Sequence, residues 1–308
     1  MSKTMVMLPI VAALAKSEDI LGKNRIWKAV NNSQKEFLNK FFSKRDEIAN
    51  FSEDELKSWV SLVASELNEI LVKEGFDIKL EDFKEGEFGV VSILDVLVEW
   101  LKEGMKTRIL FDNKEYPAVR LNRYAEIDSA STELASVYTP NFLDYTLNDY
   151  LHPIASVATK SGDKVWMTVA DKRLGGFKLI SRIEKLRTSI SKNPVKTHFD
   201  RLIFPMVDLN QKVDISWLTG MLTSFETGCK YKISQALQQT KFKMNQFGAH
   251  VKSAVAIAIR ATSARLTTEL MIDKPFYLWI ERNGVSYPIL YAYIDADDWK
   301  NPGDLKNI

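Results

Sequence analysis

The sequence predicts an α+β protein, and three observations carry that expectation. Apolar residues recur at helical spacing through the first third of the chain. From about residue 105 the period becomes that of strands, and the chain closes on two runs, "KPFYLWIE" and "YPILYAYI", separated by a turn signal at Asn283-Gly284. The 308 residues, 45% of them hydrophobic, can bury a large core. With no internal repeat and no low-complexity linker, a single domain is expected over 1–308, helical mainly in 1–104.

Taken in order, "MSKTMVMLPIVAALAKSED" predicts a first packed helix over its apolar stretch from Met5 to Ala15. Lys3 and Ala13-Leu14-Ala15 also give residues 1–15 the look of a secretory signal, too short to span a bilayer. A second helix is predicted from about Ser33 to Ile48, burying Phe37, Leu38, Phe41 and Phe42. Ser52 with Glu55 makes a capping box, followed by Leu56, Trp59, Val60, Val63, Leu67, Ile70 and Leu71 on one helical face and by Gly75. That spacing predicts one helix ending near Gly75. "FGVVSILDVLVEWL", residues 88–101, reads as buried, with helix and central strand both open.

In the second part, "RILFDNKEYPAVRLN" predicts a hairpin about Asp112-Asn113, and "KVWMTVADKRLGGFKLI" a strand leading through Gly175-Gly176 into a helix carrying Ile180, Ile183 and Leu186. "FDRLIFPMVDL" predicts another strand. Asp214 then caps an expected short helix with Ile215, Leu218, Leu222 and Phe225 on one face, ended by Gly228. The two closing runs are apolar on both faces, so their hairpin is expected inside a packed sheet layer.

Several chemistries lack support. The net charge of +2 gives no electrostatic reason for a nucleic-acid or anionic-membrane partner. His152, His198 and His250 stand far apart without ligand spacing, phosphate loops and hydrolase motifs are absent, and no cofactor is expected. Asp295, Asp297 and Asp298 read as a solvated turn, because the glycine position of a calcium loop is Lys300. No enzyme is expected from these motifs. The single cysteine, Cys229, excludes an internal disulfide and favours a reducing, cytoplasmic compartment, while the signal-like start leaves secretion open. Asn31 and Asn50 each begin an N-x-S triplet, relevant only to a secreted chain.

The stretch after Gly248 is the most informative. Ala249, Val251, Ser253, Val255, Ile257 and Ile259 fall on one face of a strand, and His250, Lys252, Ala254, Ala256, Ala258 and Arg260 on the other. One face is apolar or small, the other small or basic. "RATSARLTTEL" follows, a long polar loop with two arginines open to a trypsin-like cleft. Two readings fit: a permanent strand with its connecting loop, or a strand held outside a sheet.

The order of these late pieces resembles the C-terminal half of a serpin, with Pro205, Phe225, Gly248, Pro275-Phe276, Leu290, Asn301 and Pro302 at the family's landmarks across residues 105–302. The resemblance implies helices on a large mixed β-sheet, a smaller barrel-like sheet and a reactive-type loop at 248–274. It implies a suicide-substrate protease inhibitor whose hinge is Gly248, Ala249, His250, Val251, Lys252 and Ser253. The expected scissile bond is Arg265-Leu266, with Arg260-Ala261 the runner-up. Val251 and Lys252 stand where the family prefers alanine, and such side chains slow threading between packed strands. The resemblance therefore also admits a non-inhibitory serpin-like scaffold with a static or pre-inserted loop. The expected partner is a protease or another protein.

Overall fold

The computed structural model describes residues 3–23, 25–85, 87–96, 98–122, 140–147, 150–192, 195–196, 199–224, 230–248 and 268–305. The chain opens with β1 (Thr4–Met5), α1 (Leu8–Lys16), the short α2 (Glu18–Leu21), β2 (Trp27–Lys28) and α3 (Asn32–Lys40). Pro9 in the first turn of α1 costs no intrahelical hydrogen bond, and Leu8, Ile10, Val11, Ala12 and Leu14 are buried. The first packed helix is therefore present. Asn31 caps α3 by accepting from the Gln34 N–H at 2.8 Å, and donates its own amide to the Trp217 carbonyl. The helix expected to reach Ile48 ends sooner: α3 gives way to a 3₁₀ stretch, Phe42–Asn50, broken at Lys44, while Phe37, Phe41 and Phe42 are buried as expected. There the Asn50 side-chain amide donates to the carbonyls of Glu47 and Gly284, tying this stretch to the end of the chain.

The helix expected after Ser52 is two elements, β3 (Leu56–Ser61) and α4 (Ala64–Lys73), with Gly75 past the last turn at φ +81°. Ser52 and Glu55 do exchange the capping bonds, but they close a turn that feeds a strand. The reason is tertiary pairing. β3 lies antiparallel to β4 (Gly89–Leu94), with Trp59 opposite Val91 and Val60 opposite Val90, and the partner strand overrides helical spacing. Of segment 88–101, residues Gly89–Leu94 are thereby a strand, and Glu99 and Trp100 form isolated bridges beyond it.

The strands β5 (Met105–Phe111) and β6 (Lys114–Asn122) form the expected hairpin, with Asp112 and Asn113 at φ +49° and +59°. Then come β7 (Asn141–Leu147), β8 (Tyr150–Ala158), β9 (Lys164–Val169), α5 (Phe177–Lys192), β10 (Val195–Lys196), β11 (Arg201–Pro205) and β12 (Val207–Val213). Ile180, Ile183 and Leu186 of α5 are buried as their spacing predicts. The short helix expected after Asp214 is a single 3₁₀ turn, Ser216–Leu218, although Asp214 does accept from the Ser216 N–H. Leu222 belongs instead to β13 (Leu222–Ser224), recruited between β2 and β14 (Lys230–Lys232); Phe225, Gly228 and Cys229 lie outside the described residues. The last strands are β15 (Gln238–Met244), β16 (Glu269–Met271), β17 (Phe276–Glu281) and β18 (Leu290–Ile294).

The closing hairpin lies inside a seven-stranded antiparallel sheet of order β1-β18-β17-β9-β8-β7-β10. Phe276, Leu278 and Ile280 of β17 face one core, shared with the four-stranded sheet β16-β11-β6-β5, whereas Tyr277 and Trp279 face a second core under α1, α3 and α5. Both faces are covered, which is why the run is apolar throughout. The acidic turn expected to be solvated is in part a buried ion cluster: Lys3 Nζ reaches Asp295 at 2.6 Å and Asp298 at 3.2 Å, and both carboxylates have 13% side-chain exposure. Among the described residues no helix is long and apolar enough to cross a membrane.

Candidate functional site

Two strand pairs share one layer without joining each other. β12 and β15 run antiparallel from Val207 opposite Met244 to Val213 opposite Gln238, and β3–β4 form the other pair. Between β4 and β15, whose facing edges pair with no strand among the described residues, lies a cleft of about 990 Å³. Its floor is Ile10, Ala13 and Leu14 of α1 with Ile280, Ile289 and Leu290 of the closing hairpin. Gln238 Oε1 and Thr240 Oγ1, on the inward face of β15, are buried without a hydrogen-bond partner. Unsatisfied polar atoms on an apolar floor cost free energy unless an occupant completes them.

At one end the gap is spanned by a single residue. Gly248 bridges antiparallel to Asn245 beyond the end of β15, with both backbone bonds formed, 3.0 and 3.3 Å, and also to Glu99 beyond the end of β4. A residue paired on both sides occupies the place of a middle strand, so the opening there is one strand wide. Trp100 clamps this end: its N–H donates to the Phe247 carbonyl and its indole N–H to the Asn245 carbonyl at 3.0 Å, while the Gly104 N–H reaches the Gln246 carbonyl at 2.7 Å. Gly248 holds φ +107°, and a Cβ there meets Trp100 N at 2.5 Å and Val98 O at 2.7 Å. Gly248→Val is accordingly expected to cost about 1–3 kcal/mol of stability from backbone strain alone, before the clash is added, and so to lower the urea midpoint of unfolding. An unchanged midpoint would contradict the pairing of Gly248 on both edges.

Behind the same end, Arg282 bonds Asp163 through two nitrogens, each at 2.9 Å, and reaches Glu55 at 2.8 Å. Burial alone would raise the Glu55 carboxyl, but hydrogen bonds from Arg282 and Ser52 outweigh it and hold the group below its ordinary value. The Asp163 side chain is 1% exposed, and both its oxygens are met by this guanidinium. Because the Asp95 N–H donates to the Glu55 carbonyl, the ion cluster also anchors the end of β4.

The outer face is roofed by the segment joining α4 to β4. Gln239 accepts from the Asp77 N–H, Gln235 exchanges two bonds with the backbone of Glu81, and Lys241 Nζ donates to the Gly75 carbonyl at 2.6 Å. Gln239 and Lys241 share the outward face of β15 and Gln235 lies just ahead of the strand, and Phe76, Leu80 and Phe83 of the roof line the cleft.

Of the residues singled out in the sequence, Gly248 stands at the head of the cleft. Ala249, His250, Val251, Lys252, Ser253, Arg260, Ala261, Arg265 and Leu266 lie outside the described residues. Sequence reasoning missed the β4 wall, the Trp100 clamp and the roof. The alternation of "GVVSIL" was their only trace.

No family model and no curated protein sequence matches the chain. Among solved structures it is similar to Serpin48 of the insect Tenebrio molitor, with 12% identity and a TM-score of 0.55 over 94% of this chain and 90% of that one. The thermophilic serpin tengpin in its native state matches with 12% identity and 0.56, over 95% and 88%. SRPN18 from Anopheles gambiae matches with 11% and 0.55, over 97% and 93%. The class is thus an α+β protein whose β layer is parted by one strand's width. Its fold is the serpin fold.

Proposed function

We propose that the chain is a serpin-type protease inhibitor, acting as a suicide substrate by inserting the segment after Gly248 into the cleft between β4 and β15. The observation that carries this reading is Gly248 itself, paired to both edges at the head of the cleft. A serine protease attacks the Arg265 carbonyl through its hydroxyl oxygen, the bond to the Leu266 nitrogen breaks, that amine takes up a proton, and Arg265 remains as an ester on the enzyme. Once the bond is cut, the segment is free to run down the cleft and carry the acylated protease with it. Strand insertion is a known means of releasing stored free energy. Arg260-Ala261 is the alternative bond.

Incubation with a trypsin-like protease tests the proposal. An adduct that survives SDS, joining the protease to the fragment ending at Arg265, is the expected product. Clean nicking with full recovery of protease activity would instead make the chain a substrate. A second reading, a non-inhibitory scaffold with a static loop, draws on the roof: Gln235, Gln239 and Lys241 hold it across the face that an inserting strand must pass beneath.

A further inference from the structure

The turn that closes the last hairpin holds the chain's one Asn-Gly pair, Asn283-Gly284. The Val285 N–H donates to the Arg282 carbonyl at 3.2 Å, and Gly284 holds φ +83° while Asn283 stays at negative φ, as in a type II turn. Both residues are exposed. Among the described residues, neither the Asn283 side chain nor the peptide joining it to Gly284 makes a hydrogen bond, because the turn's own bond uses the Val285 N–H. Turns of types I and II differ by a flip of that central peptide, so it can rotate and carry its nitrogen past the Asn283 carboxamide.

Several other asparagine amides are held. Asn68 exchanges bonds with the Leu80 backbone, Asn245 bonds the Gly303 carbonyl and the Phe247 N–H, and Asn50 donates to the carbonyls of Glu47 and Gly284. Each of these is also followed by a residue whose side chain crowds the next peptide nitrogen, whereas Gly284 has no Cβ. We infer that Asn283 is a site of spontaneous deamidation in the native fold, and that its isoaspartate product unties the closing hairpin from the stretch Phe42–Asn50. In the reaction the Gly284 nitrogen loses its proton and bonds to Asn283 Cγ, the Cγ–Nδ2 bond breaks, and ammonia leaves with that proton. Water then opens the cyclic imide. Attack at its side-chain carbonyl gives aspartate, and attack at its main-chain carbonyl gives isoaspartate, whose chain runs through Cβ.

The consequence follows from how tightly the turn is seated. A Cβ added at Gly284 meets Asn50 Oδ1 at 2.8 Å, so the glycine lies against Asn50 with no spare room. The Gly284 carbonyl accepts from the Asn50 amide at 3.0 Å, and Ser286 donates its N–H and its hydroxyl to Glu47 at 2.9 and 3.1 Å. On the other side, Arg282 is fixed by Asp163 and Glu55. An extra main-chain atom at position 283 must therefore be taken up between two anchored residues, and the Asn50 bond and the Glu47 pair are not both kept. The new carboxylate adds a negative charge to a turn whose Ser286 is held by the Glu47 carboxylate, and like charges brought together act in the same direction.

The test incubates the full chain at mildly alkaline pH and follows each asparagine by peptide mass mapping, with an isoaspartyl methyltransferase as the labelling reagent. Isoaspartate is expected to accumulate at position 283 several-fold faster than at any other asparagine, and faster as pH rises, because the attacking nitrogen must lose its proton. Asn283→Gln is expected to stop it, since ring closure through the longer side chain is slower. Asn50→Ser, which releases the Gly284 carbonyl, is expected to speed conversion at 283 several-fold. An unchanged rate in that variant would show that the local sequence alone sets the chemistry, against the part given to the fold. Conversion in urea but not in the folded chain would overturn the site itself. The separated isoaspartate form is expected to melt below the unmodified chain, and equal melting temperatures would show that the hairpin stays tied.

Discussion

Cleavage after Arg265 is expected to raise the melting temperature by roughly 10–20 °C, given about 2–4 °C per kcal/mol for a large domain. Three terms decide the sign. On insertion, Val251, Val255 and Ile257 would pack on the floor of α1 and the closing hairpin, at about 1.5–3 kcal/mol for each side chain that becomes fully buried. The facing edges of β4 and β15, which pair with no strand among the described residues, and the buried Gln238 Oε1 and Thr240 Oγ1 would gain partners, and each net hydrogen bond contributes about 0.5–1.5 kcal/mol. Against these stands the ordering of about ten residues, at about 1–2 kcal/mol each for the backbone. A middle strand forms ladders on both sides, so its hydrogen bonds outnumber the residues it orders and the balance favours insertion. Differential scanning calorimetry before and after nicking measures the shift. A nicked chain that melts with the intact one would show that the segment stays outside, and the static-scaffold reading would then hold.

How far this site could be read from the sequence depended on which interactions were local. The Asp112-Asn113 turn and the strand-to-α5 passage were legible because each is decided within a few residues, by positive φ or by apolar spacing. The closing hairpin was legible because burial on both faces leaves no polar alternation. Residues 56–61 were not, because Trp59 and Val60 suit a helix face as well as a strand and the choice is made by Val90 and Val91, some thirty positions later. Leu222 was misread for the same reason, its partners being Lys28 and Lys232. The cleft is harder still. It consists of two edges that do not pair, one near residue 90 and one near 240, and a missing pairing leaves no period in a sequence. The alternation after Gly248 was visible because it is local; the walls of the cleft were not. The buried part of the acidic turn escaped too, since only the fold brings Lys3 to Asp295 and Asp298.

Removing residues 1–15, as cleavage at the signal-like Ala13-Leu14-Ala15 would do, is expected to abolish folding of the remaining chain. β1 is an edge of the seven-stranded sheet, pairing Thr4 with Ala292 and Met5 with Tyr291, and α1 supplies the floor of the cleft. Met5, Met7, Leu8, Ile10, Val11 and Leu14 are all buried; at about 1.5–3 kcal/mol for each large apolar side chain, their loss matches or exceeds the 5–15 kcal/mol that keeps a typical domain folded. The deletion also breaks two links between the halves of the molecule, since the Lys3 N–H donates to Gln211 of β12 and the Gln238 amide of β15 donates to the Val6 carbonyl at 2.8 Å. Asp295 and Asp298 would lose their ammonium while still partly buried, which is unfavourable for either carboxylate. Expression of residues 16–308 should therefore yield insoluble or protease-sensitive material, and Lys3→Met in the full chain a folded protein of lower stability. A soluble, cooperatively unfolding 16–308 chain would show that the cleft keeps its shape without α1 beneath it. Insertion could then not depend on a fixed floor, because the apolar face of the incoming strand would have nothing rigid to pack against.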